Sequence, residues 1–157
     1  MTLTSLDYAQ LIQFAALKFH NVVLNRTQIN KMLFYVYGRH LAVKNAKLFE
    51  GDDPKAWPYG PVFPIVYKKI NIEDVPRSFS KEKNDAFKAN PEALNLVKEA
   101  VNKFYNWSAY DLTKWSHAVD SPWYKTKYPA TGAPAKWNTV IDDELIKEYF
   151  IENYGRS

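Results

Sequence analysis

From Tyr8 onward, apolar residues recur at intervals of three and four: Tyr8, Leu11, Ile12, Ala15, Phe19, Val22 and Val23. That spacing lines one face of an α-helix, so it predicts a first helix with one buried stripe. Thr4 or Ser5 can cap it, with Asp7 in its first turn and Asn25-Arg26 as its end. A second helix, capped by Thr27, repeats the period through Ile29, Met32, Leu33, Val36, His40 or Leu41, and Val43. Here the apolar positions also close up, since Met32 to Tyr37 contains no polar break. A helix apolar nearly all round belongs inside a core. It does not suit the second helix of a DNA-binding helix-turn-helix, which lies among phosphates. Two capped helices with a short connection predict an antiparallel helical hairpin.

The stretch Ala56-Trp57-Pro58-Tyr59-Gly60-Pro61-Val62-Phe63-Pro64-Ile65-Val66-Tyr67 is punctuated by three prolines and a glycine. Gly60-Pro61 reads as a tight turn, and Pro61 and Pro64 both suit the first turn of a helix that aligns Val62, Val66 and Tyr67. Ahead of it, Lys47 to Glu50 reads as a short extended piece pairing with Ala56-Trp57. Asn71 to Asn90 has no sustained period and reads as a long loop. Pro91 then opens a helix over Glu92 to Trp107, with Leu94, Val97, Val101, Phe104 and Tyr105 as its buried stripe. Ser108 and Asp111 have capping-box spacing for a helix that runs to Asp120 and stops at Ser121-Pro122. Tyr128 to Pro134 is a second loop. Asp142-Asp143-Glu144 opens a last helix, Leu145 to Tyr154, whose apolar side is Ile146, Tyr149, Phe150 and Tyr154. The fold expected is mainly α: one compact domain over residues 1–157 with about six helices and room for a short β-hairpin near residues 47–59.

Composition narrows the function classes. A chain of 157 residues can bury a real core, and 46% hydrophobic with 24% charged residues is ordinary for a globular protein. Cysteine is absent, which removes disulfides, thiolate nucleophiles and Cys-based zinc sites. No segment has the length of apolar sequence needed to span a bilayer, and Met1 to Asp7 lacks signal-peptide features, so a cytoplasmic protein is expected. The net charge of +4 is spread along the chain, as on solvated faces, and slightly favours an acidic protein partner over nucleic acid.

Candidate chemistry is sparse. His20, His40 and His117 sit on three separate helices, and none has a second ligand at metal-binding spacing. His117 has Asp111, Ser116, Asp120 and Ser121 nearby, but no nucleophile elbow accompanies it, and the five glycines are isolated rather than forming a phosphate loop. A non-catalytic protein without metal or cofactor is expected. The aromatic excess is the informative feature: 5 Trp, 11 Tyr and 9 Phe. Several, including Trp57, Tyr59, Trp115, Trp123, Tyr124 and Trp137, cluster near Pro-rich turns, and protein interfaces favour such residues.

Three blocks of sequence resemble a known family. They are Lys31-Met32-Leu33-Phe34-Tyr35-Val36-Tyr37-Gly38-Arg39-His40-Leu41, then Leu48-Phe49, then Ala56-Trp57-Pro58-Tyr59-Gly60-Pro61-Val62 followed by Val66-Tyr67. Downstream, Ser108, Leu112, Ser116-His117, Ser121-Pro122-Trp123 and the closing Ile141 to Ile146 with Tyr149-Phe150 agree with it. Together they resemble the Panacea domain, the SocA-like antitoxin family, once a phage-associated domain of unknown function, over about residues 6–154. The resemblance implies a mostly helical domain that neutralises a toxin by direct binding in toxin–antitoxin or phage-defence cassettes. The toxin would be a protein encoded by the adjacent gene. One branch of the family acts instead as a proteolytic adaptor, which stands as an alternative beside a nucleic-acid-binding regulator. This sequence shows no appended DNA-binding domain of the kind longer relatives carry, which speaks against autorepression by this chain. Partner contact is expected at Trp57, Tyr59, Tyr67, Trp115, His117 and Trp123, with Gly60, Pro61, Ser121 and Pro122 as structural positions.

Overall fold

The computed structural model describes residues 1–157 as eight α-helices and one two-stranded antiparallel hairpin. The helices are α1 (Ser5–His20), α2 (Arg26–Lys44), α3 (Pro64–Lys69), α4 (Lys81–Lys88), α5 (Pro91–Phe104), α6 (Ala109–Ser116), α7 (Pro122–Lys127) and α8 (Asp143–Tyr154). The hairpin strands, β1 (Lys55–Trp57) and β2 (Gly60–Val62), lie between α2 and α3. Helix α2 is the axis of the molecule. Every residue from Ile29 to Ala42 is buried, as the unbroken apolar run requires, and α1, α3, α5, α6, α8 and β2 all pack against it.

Polar groups inside this core are paired across elements. The Arg39 guanidinium donates to both Glu99 carboxylate oxygens at 2.8 and 3.2 Å, and the Tyr35 hydroxyl donates to the same carboxylate at 2.7 Å, joining α2 to α5. The Tyr37 hydroxyl donates to Asp143 at 2.7 Å, joining α2 to the start of α8. His40 is bracketed by the Ala46 carbonyl at Nδ1 and the Asn90 amide at Nε2, and burial lowers its pKa. Buried Asp52 accepts from the Ile65 and Val66 amides and from the Ser5 hydroxyl. It thereby satisfies the first turn of α3, whose own N-cap, Phe63, has no side chain to do so.

Helix ends depart from the sequence reading in instructive ways. Thr4 caps α1 and forms a reciprocal capping box with Asp7, as expected. The helix ends at His20 rather than at Asn25, because Asn21 adopts the left-handed conformation at φ 54°. Phe19 and Val23 consequently lie exposed, outside the buried stripe. Asn25, not Thr27, caps α2 in a capping box with Gln28, and Asn45 ends α2 in the left-handed conformation. Asparagine tolerates that conformation better than most residues, so both stops were written in the chain.

Four further expectations are corrected. Strand β1 pairs with β2 and not with residues 47–50; Leu48 and Phe49 are core residues instead. Gly60-Pro61 therefore forms strand β2, and the turn is Pro58-Tyr59. The presumed loop from Asn71 to Asn90 contains α4, capped by Ser80 and anchored by the single buried side chain Phe87, too little apolar pattern to show a period. Helix α6 stops at Ser116, and Ser121-Pro122 starts α7 instead of merely ending its predecessor: Ser121 caps it and Pro122 takes the first position. The short helices α4 and α7, beyond the six expected, account for the eight.

Gly38 sets how closely α8 can approach α2. The Phe150 ring of α8 occupies the place a Cβ at Gly38 would take, and it packs there against Phe34 and Tyr35. Gly38→Ala adds about 1 kcal/mol of helix propensity yet forces the ring out of its seat, at a cost of about 1–3 kcal/mol or more. Thermal unfolding should show a net fall of several degrees, at roughly 2–4 °C per kcal/mol for a chain of this size. A melting temperature equal to or above wild type would show that α8 is not seated on Gly38.

Candidate partner-binding surface

The two strands pair in the register Lys55↔Val62, Ala56↔Pro61 and Trp57↔Gly60, which leaves Pro58-Tyr59 as the turn. Gly60 has φ +115°, a conformation strained for any residue with a side chain. A Cβ there would come within 2.8 Å of both Lys31 Cε and Ser116 Oγ. Glycine is thus what lets β2 lie directly on α2 and α6. Two groups of α2 hold the strand down: Asn30 Oδ1 accepts from the Phe63 amide at 2.9 Å, and Lys31 Nζ donates to the Pro61 carbonyl at 3.3 Å.

β1 is fixed from its other side. The Trp123 indole N–H donates to the Trp57 carbonyl at 2.6 Å, while its ring stacks flat on His117 at 3.7 Å between centroids. Ser121 and Pro122 place Trp123 by starting α7 immediately before it. The outer edge of β1 is covered too: the Ala56 amide donates to Thr139 O and the Ile141 amide to Pro54 O. A three-residue strand closed on both edges has little freedom to move or to pair with another chain.

This rigid base displays aromatic rings. Tyr59 is 78% exposed at the turn, Trp137 61% and Tyr67 on α3 45%. Half-buried Trp57 joins them, edge to face with Tyr67 at 5.1 Å and with Trp137 at 5.5 Å, and its indole donates to Asn138. The Arg26 guanidinium lies 5.5 Å from the Tyr67 ring centroid. Lys68, Lys69 and Lys136, adjacent in sequence to Tyr67 and Trp137, are exposed. The result is an aromatic patch with the Arg26 cation at its edge, the type of surface that marks an interaction site.

Beneath the patch lie two basic groups, Lys31 buried and His117 half-buried. Lys31 is 1% exposed, and burial alone pulls its pKa down to about 8, no carboxylate lying near enough to oppose it. His117 is held below its ordinary value of 6.5, chiefly by burial and then by the Lys31 charge, with the Tyr59 backbone acting weakly the other way. Its Nε2 is enclosed without a hydrogen-bond partner. The structure contains no group of three side chains suited to hold a metal ion.

Of the residues singled out from sequence, Trp57, Tyr59, Tyr67, His117 and Trp123 converge on the hairpin, with Gly60 and Pro61 in it and Ser121 and Pro122 supporting Trp123. Trp123 is 4% exposed and therefore acts on the surface by positioning Trp57. Trp115 is placed elsewhere: it packs on Tyr35, Phe104 and Phe150, and its indole donates to the Tyr154 hydroxyl. Sequence reasoning did not assign Lys31 or Arg26 to the site. Lys31 carried a signal, being the only charged residue between Ile29 and Gly38 in a helix otherwise fit for a core.

A family model described as antitoxin SocA-like, Panacea domain, matches residues 29–124, more than half of the chain. The match runs from α2 through the hairpin into α7 and so includes Lys31, Gly60, Ser116, His117 and Trp123. No curated protein and no solved structure matches the chain.

The depressed pKa of His117 gives stability a definite pH dependence. The unfolded chain takes up the proton first, so this contribution is fully present above about pH 6.5 and is lost as pH falls towards the folded-state value. His40 shifts in the same direction and adds to the slope. His117→Phe keeps a flat ring on Trp123 and removes one of the two titrations. Denaturant unfolding between about pH 7 and pH 5 should lose less stability in this variant than in wild type; equal slopes would place the titration elsewhere.

Proposed function

The chain belongs to the antitoxin SocA-like, Panacea domain family, and we propose that it neutralises a protein toxin by stoichiometric binding through the aromatic surface of the β1–β2 hairpin. The observation that supports this reading most is the convergence of the family-bearing residues. Lys31, Gly60, His117 and Trp123 are far apart in sequence, yet all bear on one short hairpin beneath exposed Tyr59, Tyr67 and Trp137, and Ser116 lies close against Gly60. A pre-organised aromatic anchor binds without losing much conformational freedom, which favours affinity. Its role is non-catalytic, the partner is the product of a neighbouring gene, and the complex needs an interface of about 800 Å² on each side. Helix α2 is enclosed on all sides, so it offers no recognition helix to a DNA groove. No helix is long and apolar enough to cross a membrane.

Titrating the purified toxin with this protein should abolish toxicity close to equivalence. Progressive inactivation at substoichiometric amounts would instead indicate turnover and overturn the binding reading. Within that assay, Tyr59→Ala and Trp137→Ala should each weaken binding by about 2 kcal/mol, as aromatic hot spots do, with the melting temperature unchanged because both rings are mostly exposed. Lys81→Ala is the control: its side chain is 90% exposed and pairs only with Asp85 one turn on, a contact worth little. Equal loss from Lys81→Ala and Tyr59→Ala would remove the hairpin's special status.

A further inference from the structure

Beside the contact of β2 with α2 there remains a cavity of about 100 Å³, lined among others by Asn30, Lys31, Val62, Trp57, Tyr59 and Tyr67. By the same measure one water needs only ~10–15 Å³, so the space admits a small side-chain head group. Its rim includes exposed Tyr59 and Tyr67, which gives access from the surface. The walls are aromatic and aliphatic, apart from Asn30, Thr27 and one ammonium.

That ammonium is the anomaly. Buried cations are ordinarily paired, and the other buried cation of α2, Arg39, has a bidentate carboxylate. Lys31 has a single carbonyl, Pro61 O at 3.3 Å, for three donor hydrogens. Nothing in the chain supplies its counter-charge. His117, on which the Lys31 charge acts, supplies none, its pKa being lowered by burial and then by Lys31 itself.

We propose that this cavity is a receptor for the carboxylate of an aspartate or glutamate side chain of the partner protein, with Lys31 as its counter-ion and the rings of Trp57, Tyr59 and Tyr67 enclosing the stem. This deepens the proposed function and rests on that reading for the identity of the carboxylate's owner. In the complex the acidic side chain enters past Tyr59, displaces solvent from the cavity and completes a charge pair that the free protein leaves open. A charge pair closed only on binding rewards an acidic tip and penalises an amide of equal shape, because the amide leaves the ammonium unpaired.

The test uses the whole protein and small probes, without the toxin. Blocked glutamate (N-acetyl-glutamate N-methylamide), the matching blocked glutamine and free propionate are titrated in turn. The Trp57 indole N–H and the Lys31 Cε signals are followed by NMR. Blocked glutamate should shift both signals saturably and blocked glutamine should not. Lys31→Met, which keeps length and apolar bulk, should weaken the glutamate response about tenfold or more. The wild-type comparison of glutamate with glutamine stands by itself if that variant does not fold. Equal responses to the two blocked amino acids, or no saturable response to either, overturn the proposal. Binding of propionate with exclusion of blocked glutamate would make the occupant a free carboxylic acid and overturn the assignment to a partner side chain. Such a failure leaves stoichiometric neutralisation untouched, whereas turnover in the toxin titration would refute the function without emptying this cavity.

Discussion

A helix buried along fourteen consecutive residues, Ile29 to Ala42, has no face of its own to turn towards water. Everything else in the chain is arranged by the need to cover it. α1, α5 and α8 form its walls; the smaller pieces α3, α6 and the hairpin close what remains. This constraint explains why short elements matter here. The hairpin has only three residues per strand, and in isolation such a hairpin is not stable in water. It exists because α2 offers Asn30 and Lys31 to its backbone and because Gly60 carries no side chain to hold it away.

Complete burial also obliges α2 to satisfy its polar side chains internally. Arg39 finds Glu99, Tyr37 finds Asp143, and His40 finds Ala46 O and Asn90. Of the two buried cationic side chains, Arg39 has an ionic partner and Lys31 has none. The fold and the candidate site are therefore the same problem seen twice. The one ionic need that the core leaves unmet sits beneath the one surface where exposed aromatic rings gather on a rigid support. Trp123 and His117 add to that support from the far side, one through the Trp57 carbonyl and the other through stacking.

Much of this was legible in the chain. The continuous apolar run of α2 marked it as the core helix, and the capping residues Thr4, Ser108 and Asp142 marked helix starts that the structure retains. The helix-length errors at α1 and α6 have a common cause: apolar residues continued past the stop, while backbone conformation at Asn21 and His117 ended the helix. Strand pairing was harder, because Leu48-Phe49 and Val62-Phe63 are equally apolar and register depends on what lies beneath. Trp123 shows the same limit at the site, since an aromatic beside a proline reads alike whether its ring faces water or a neighbouring carbonyl. Lys31 was visible as a charge in the wrong company, but only the structure shows that no carboxylate meets it.

The account stands or falls on where the proposed toxin partner contacts this protein. Hydrogen–deuterium exchange of the whole chain, free and in complex with the toxin proposed as its partner, reads that directly. Protection is expected across residues 55–69 and 136–141, the segments that carry the hairpin, α3 and Trp137, with the α4 and α5 surfaces unchanged. Protection confined to α4 and α5, with the hairpin exchanging as in the free protein, would contradict it.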